Sequence, residues 1–476
     1  MSKNWTKLLA KLAQESAPLS PDQSQRKELI DATHDVMSSF LESLDQVKAF
    51  NKNKANQEEL AITGKRTAFD QTLNIFNEEV TKKGINAASG GHLGYIPGGG
   101  LYTAALADYM AAISNAYSGV YYASPGAVEI ELACLEWLRK IFRFPEETVG
   151  NLTSGGSIAN LIALTAARDH HQIKNEKILK AVIYMGNQTH HCVHKAIRII
   201  GLEDAEIKHI PLDERGKLIP SALAQQIALD KATGKLPFLV IASAGTTDVG
   251  AVDPLKEIGA IAKKEALWFH VDAAYGGFFI LSEQTKSLFD GIEDADSLVV
   301  DPHKGLFLPY GLGAVLVKNK AAVLHSHHYT ANYMQDAIDE DLPINPADVS
   351  PELTKHFRAL RMWLPLKLHG LDPFVACLEE KLLLTHYFRE KLVELGFKVG
   401  PQPELSVSYF WYPAKNENEF NRKLMKAIHQ NGDVFLSSTD LNGKFVIRMA
   451  ILSFRTKKET IEKALRMIKK CLNELL

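Results

Sequence analysis

Four short segments hold the residues whose types and spacing could do chemistry. In DPHKG, Asp301 to Gly305, a lysine follows the apolar run SLVV, so Lys304 stands at the exit of a buried strand near the ligand edge of a sheet. An amine held there can form a Schiff base with an aldehyde cofactor; on this segment alone a purely structural lysine weighs as much. Upstream, the run LWFHV ends in Asp272, a carboxylate that could keep a ring nitrogen protonated or simply cap the next turn. NLTSGGSIANLIALTAARD puts Gly155, Gly156 and Ser157 at the start of an apolar helical pattern, where backbone amides could face a phosphate. Gly/Ser turns precede many helices, yet an amine, an acid and an anion cradle together meet the three needs of pyridoxal phosphate.

The fourth segment, GNQTHHCVHKA, carries His190, His191 and His194. The four-residue spacing of His190 and His194 admits a metal, but neither a third ligand nor an HExxH-type acid accompanies them, and no metal is expected. His190 reads better as a ring lying flat on a cofactor.

The elements that must position these residues are legible as short apolar runs at 181–185, 238–245, 267–275, 297–301 and 314–318, separated by helical patterns. Such runs predict buried strands of a mostly parallel sheet in an α/β domain, with ligands beyond the carboxyl ends of the strands. Three regions follow: a polar, helix-favouring segment over 1–88, a large cofactor-binding α/β domain over 89–375, and a small α+β domain over 376–476. In the last helix, Thr456 and Glu459 have capping-box spacing, and Ile461, Leu465, Ile468, Leu472 and Leu475 form one apolar face. The polar, Pro-interrupted stretch 325–353 is long enough for an active-site loop.

Composition narrows the partners. The 476 residues contain 54 Lys and Arg against 56 Asp and Glu, a net charge of −2, and 46% are hydrophobic. That argues for a large core and against nucleic acid or an anionic membrane as partner. A small molecule is the better prior. The four cysteines, Cys134, Cys192, Cys377 and Cys471, have no paired spacing, which predicts reduced thiols. With no apolar stretch of signal or spanning length, a soluble, cytoplasmic protein is expected.

In order along the chain, SPGAVEIE, TSGGSIAN, NQTHH, GTTDVGAVDP, HVDAAYGG and DPHKG resemble the group II pyridoxal-phosphate decarboxylases, which include the aromatic amino acid, histidine, glutamate and diaminobutyrate decarboxylases. The resemblance covers roughly residues 70 to 476. It implies the aminotransferase-like (type I) fold, a homodimer with shared active sites, in which segment 1–88 contacts the partner, and pyridoxal 5'-phosphate as cofactor. It implies decarboxylation of an L-amino acid to the amine and carbon dioxide, with a lean to aromatic substrates. A related carbon–carbon lyase, an aldehyde-forming oxidative deaminase and a non-catalytic cofactor-binding protein are the alternatives.

Carried over by position, the resemblance makes Lys304 the Schiff-base lysine, Asp272 the pyridinium partner and His190 the stacking ring. Gly156 and Ser157 fall at the phosphate, Thr246 near the cofactor 3'-oxygen, and His303 and His270 along the site. Tyr329 matches a loop tyrosine that protonates Cα in the neighbouring subunit's site, with Tyr333 a second candidate. Tyr95, Pro97 and Gly98 fall in the substrate segment GHLGYIPGGGLY, whose Gly98, Gly99 and Gly100 are expected to widen the pocket. Asp301 replaces an Asn of the aromatic enzymes, and a carboxylate there repels a phosphate dianion unless protonated or turned away. Arg358 and Arg361 could attract an acidic substrate, although structural ion pairs are the more common use of such arginines.

Overall fold

A computed structural model describes residues 4–328 and 342–476. Seven of its strands form one sheet: β1 Val149–Thr153, β2 Ala181–Gly186, β3 Glu206–Ile210, β4 Leu236–Ser243, β5 Trp268–Asp272, β6 Ser297–Val300 and β7 Gly313–Val317. Their order is β1-β7-β6-β5-β4-β2-β3. The pairings from β3 through β2, β4 and β5 to β6 are parallel, while β7 runs antiparallel to both β6 and β1.

The runs are apolar throughout because both faces of the sheet are covered. Val240, Ala242, Phe269, Val271, Leu298 and Val300 enter one core, against the helices Pro125–Ile141, Pro220–Ala232 and Leu255–Glu265. Their neighbours Leu239, Ile241, Trp268 and Val299 enter the other, against α1 Gly156–His170 and α2 His191–Ile199. That alternation is the two-residue period of a strand. The five runs foreseen from the sequence lie at β2, β4, β5, β6 and β7. The other two, β1 and β3, are the edge strands, whose mixed sequences VGNLT and EIKHI carry no apolar run.

A second sheet, β8 Lys398–Val399, β9 Val407–Trp411, β10 Ser437–Leu441 and β11 Lys444–Ala450, has the order β8-β9-β11-β10 with every pairing antiparallel. Helices Glu417–Asn431 and Lys458–Asn473 pack on it. In the last helix Ile461, Leu465, Ile468 and Leu472 are buried as the apolar face requires, with Leu475 only partly covered. Its start differs from the expected capping box: Thr460 Oγ1 accepts from the Lys457 amide, and the Thr456 hydroxyl is instead buried, donating to the Gly90 carbonyl at 2.7 Å. A tertiary bond has taken the residue that spacing had assigned to the cap.

Helix Asp372–Glu394 joins the two units: Phe374, Leu378 and Leu382 belong to the core of the large sheet, and Leu384, Phe388 and Leu392 to that of the small one. The division expected at 375/376 falls inside this helix. At the other end of the chain, helices Trp5–Ser16 and Gln23–Ser43 bury none of their residues, and Trp5, Leu8, Leu9 and Leu12 are exposed. Among the described residues, no helix is long and apolar enough to cross a membrane.

Candidate active site

The strand directions bring the chemical segments to one edge. The carboxyl ends of the parallel strands β2, β4, β5 and β6 lead into His190, Thr246, Asp272 and Lys304, and β1, antiparallel to β7, delivers the Gly155–Gly156 loop to the same edge. They enclose a cavity of about 260 Å³ lined by Gly155, Gly156, Ser157, His190, Cys192, Thr246, Asp272, Asp301, His303 and Lys304, among others. A larger cleft of about 640 Å³ adjoins it through Gln188 but contains none of the lysine, the aspartates or His190. Lys304, Asp272, Asp301 and His190 line the smaller one.

Lys304 sits in the four-residue helix α3 Pro302–Gly305, and its Nζ lies 2.9 Å from Asp301 Oδ2. Its side chain is 23% exposed, enough to meet a ligand in the cavity. Burial disfavours the ammonium, but the charge and hydrogen bond of Asp301, with Asp272 beyond, outweigh it and hold Lys304 above the ordinary lysine value. Asp272 is buried at the end of β5. Burial raises its carboxyl above the usual range against the pull of Lys304 and of the Ala274 amide, which donates to Oδ1 at 3.1 Å.

His190 is the N-cap of α2 rather than a residue of its first turn, so it shares no helical face with His194. Its Nδ1 accepts from the Cys192 amide at 3.3 Å, which leaves the ring proton on Nε2. Burial, with His191 and Lys304 adding to it, pushes the imidazole down to about 4. The ring is neutral at pH 7 and able to lie against an aromatic face. Thr246 is buried beside it, its hydroxyl accepting from the Ala251 amide at 3.1 Å. His303 donates from Nδ1 to the Leu312 carbonyl at 2.6 Å and lines the cavity.

His270 does not line it. Fully buried behind Asp272, it stands in the middle of a directed chain: Trp268 Nε1 donates to Ser297 Oγ, Ser297 to His270 Nδ1, and His270 Nε2 to Asn160 Oδ1, each at 2.8 Å. Asn160 Nδ2 then donates to Asp272 Oδ2 at 3.4 Å and to the Gly156 carbonyl at 2.9 Å. Burial lowers His270 to about 3, which keeps the chain neutral. Asn160 was missed in the sequence; its only signal is an amide on the buried face of the run IANLIALTAA.

The substrate segment also departs from expectation. Tyr95, Pro97 and Gly98 are absent from the residues lining the cavity. The glycines do not widen it: a Cβ on Gly98 would stand 2.0 Å from the His303 carbonyl oxygen, and one on Gly99 2.7 Å from Ser453 Oγ. Gly98 lets the segment's backbone press onto α3, and Gly99 lets it press onto Ser453 and Phe454. Tyr95 takes a left-handed φ of 52°, unusual for a bulky residue, and its carbonyl accepts from Arg448 Nη1 at 2.8 Å. Arg448, in β11, also donates from Nε and Nη2 to the Thr247 carbonyl, so one buried cation ties the small sheet to both the Tyr95 turn and the Thr246 loop. It too escaped the sequence reading, although an arginine inside KFVIRMA is a visible anomaly. Arg358 pairs with Glu352 at 2.8 Å and Arg361 with Asp108 at 2.8 Å, which is the structural use. Tyr329 and Tyr333 lie outside the described residues.

With this geometry in place the comparisons are decisive. The pyridoxal-dependent decarboxylase conserved domain matches residues 70–412. The chain belongs to the pyridoxal-dependent decarboxylases. Among its relatives, an aromatic-L-amino-acid decarboxylase of Bacillus atrophaeus is 35% identical over 85% of this chain and 86% of its own length. Tyrosine decarboxylase 2 of Narcissus pseudonarcissus is 28% identical over 93% of each chain. A crystal structure of the Oryza sativa enzyme TDC with PLP and tryptamine superposes with a TM-score of 0.91 at 24% identity, covering 96% of this chain and 99% of that one. The decarboxylase therefore has the aminotransferase-like type I fold, is an enzyme that decarboxylates an amino acid, and uses pyridoxal 5'-phosphate.

The residues present fit that cofactor. The cavity offers an amine for its aldehyde, a buried carboxylate for its ring nitrogen and a neutral imidazole for its ring face. The Gly155–Gly156 loop opens the N-terminus of α1 into the cavity, where its amides would hold a phosphate, with Gly155 as N-cap at a φ of 150°. Gly156 is packed so closely that a Cβ would come within 3.0 Å of Asp301 Oδ2. Asp301 Oδ1, buried beside this cradle, has no hydrogen-bond partner among the described residues.

Proposed function

We propose that this decarboxylase converts aromatic L-amino acids to the amine and carbon dioxide, as a homodimer in which each active site draws on both subunits. The observation that carries the substrate class is the 35% identity to an aromatic-L-amino-acid decarboxylase along 86% of that enzyme's length. The exposed apolar side of helix Trp5–Ser16 supports the dimer, since Trp5, Leu8, Leu9 and Leu12 present a stripe that a second copy of the chain would cover.

Roles follow from position. Lys304 supplies the amine that binds the cofactor aldehyde and yields it to the substrate amine. Asp272, oriented by Asn160 and the Ala274 amide, holds a proton at the pyridine nitrogen. Pyridoxal 5'-phosphate, when bound, accepts the electron pair released as the bond from Cα to the carboxylate breaks. His190 covers the ring face as a neutral imidazole and excludes water from it. Gly156 and Ser157 at the start of α1 would hold the phosphate, and Thr246, lining the same cavity, would serve the 3'-oxygen. Tyr329 moves a proton to Cα after carbon dioxide leaves. His303 lines the site beside Lys304.

Purified, cofactor-loaded protein assayed against the common L-amino acids for carbon dioxide release tests the reading. Fastest turnover is expected with tryptophan, tyrosine or phenylalanine. A preference for glutamate or a diamino acid overturns the aromatic assignment, and ammonia or hydrogen peroxide appearing with the carbon dioxide replaces it with oxidative deamination.

A further inference from the structure

Asp301 precedes α3 as its N-cap residue yet makes no capping hydrogen bond. It is 1% exposed, Oδ2 is bound to Lys304 Nζ at 2.9 Å, and Oδ1 has no hydrogen-bond partner among the described residues. The surrounding backbone is cut back to make room for it. A Cβ on Gly156 would stand 3.0 Å from Oδ2 and one on Gly313 2.7 Å from Oδ1. A buried carboxylate with one oxygen unsatisfied is costly, and a cap or a core contact does not account for it.

Other groups face Lys304 from each packed element. They are Asp272 at the end of β5, His190 capping α2 and Cys192 within it, and the mutually contacting rings of His303 and Tyr310. Burial pushes His190 to about 4 and His303 below its ordinary value, and pushes Cys192 up to about 12 and Tyr310 above its own. Near neutral pH those four are uncharged, which leaves two carboxylates around one amine. Asp272 is already engaged by the Ala274 amide and Asn160. Asp301 is the one in direct ion-pair contact with the lysine, at 2.9 Å.

We propose that Asp301 is a positioning residue that holds Lys304 as an unreactive ammonium before the cofactor arrives, and so sets the rate and pH at which the enzyme takes its cofactor up. Condensation needs the neutral amine. The ammonium first gives one proton to solvent; the Nζ lone pair then attacks the aldehyde carbon, a carbon–nitrogen double bond forms, and the two remaining amine protons leave with the carbonyl oxygen as water. The proposal rests on the assignment of Lys304 as the Schiff-base lysine.

The test is the growth of the visible Schiff-base absorbance when cofactor-stripped protein is mixed with pyridoxal phosphate or with pyridoxal, from pH 6 to 9. Asp301→Asn is expected to load faster at pH 7, by about tenfold for each unit that the lysine comes down, with its profile displaced to lower pH for both aldehydes. A profile that coincides with wild type overturns the proposal. So does a gain confined to the phosphorylated aldehyde, which would mean that Asp301 acts by repelling phosphate. In a Lys304→Ala control, a band that still grows refutes the lysine assignment itself, separating that failure from a failure of Asp301's role. Should Asp301→Asn not fold, acetic anhydride labelling of unloaded wild-type protein, read by mass spectrometry, decides. Lys304 is expected to label only at higher pH than the exposed Lys11, and labelling of both at the same pH overturns the proposal.

Discussion

In the proposed reaction Asp272 and Lys304 act as a pair, and each is held in its state by the other and by neighbours, Asp301 for the lysine, Asn160 and the Ala274 amide for the aspartate. Replacing Lys304 with Ala is expected to abolish the visible absorbance of the loaded protein; an unchanged spectrum would remove it from the site. For Asp272→Asn the electron sink loses its charge partner, and kcat should fall by about 10² or more with cofactor still bound, as read by turnover beside absorbance. Asn160→Ala deprives Asp272 of a donor and strands His270 Nε2, so it should cost about 1–3 kcal/mol in urea unfolding along with a reduced kcat. The lysine, the aspartate and His190 were legible because each lies at, or a few residues beyond, the carboxyl end of an apolar strand, where a polar residue stands out. Asn160 and Arg448 were not, since each acts across distances in the chain, 112 residues to Asp272 and 353 to Tyr95, that no local pattern encodes.

The elements around α3 are fixed more by close approach than by propensity. Gly98→Ala would drive a Cβ into the His303 carbonyl, and the loop must shift to relieve it. A loss of about 1–3 kcal/mol is expected, together with weakened cofactor binding, because His303 is the neighbour of Lys304. Gly126, in helix Pro125–Ile141, is the control: nothing lies within 4 Å of its Cβ position, and Gly126→Ala should be neutral or stabilise by up to about 1 kcal/mol. Thermal melts and cofactor titration of the two variants would check both. The same contrast explains what the sequence concealed. The central strands announced themselves by burial on both faces, whereas edge strands β1 and β3 and the glycine packing depend on what lies beside them.

Across the whole molecule, buried histidines dominate the response to acid. Burial lowers His92 and His190 to about 4 and His270 to about 3, so between the ordinary value of 6.5 and these the unfolded chain binds more protons than the folded one. Their stabilisation is complete above pH 6.5 and is lost as pH falls toward 4. Asp253, raised to about 6 by burial, opposes the trend together with Asp272 and Asp296, which burial also raises, while His171, lowered to about 4, adds to it. The melting temperature should therefore drop from pH 7 to pH 5; a rise would contradict the burial of these rings. Shared sites predict complementation: mixing Lys304→Ala with Tyr329→Phe under subunit exchange should restore about a quarter of wild-type activity, since half the dimers are mixed and each has one intact site. No recovery would mean that each site is built from one chain.

Helix Asp372–Glu394 anchors one half of its length in each hydrophobic core. Neither lobe can melt without uncovering apolar surface that belongs to the other. Scanning calorimetry should accordingly record a single endotherm, and a Leu378→Ala lesion under the large sheet should move that peak as a unit instead of splitting off a shoulder.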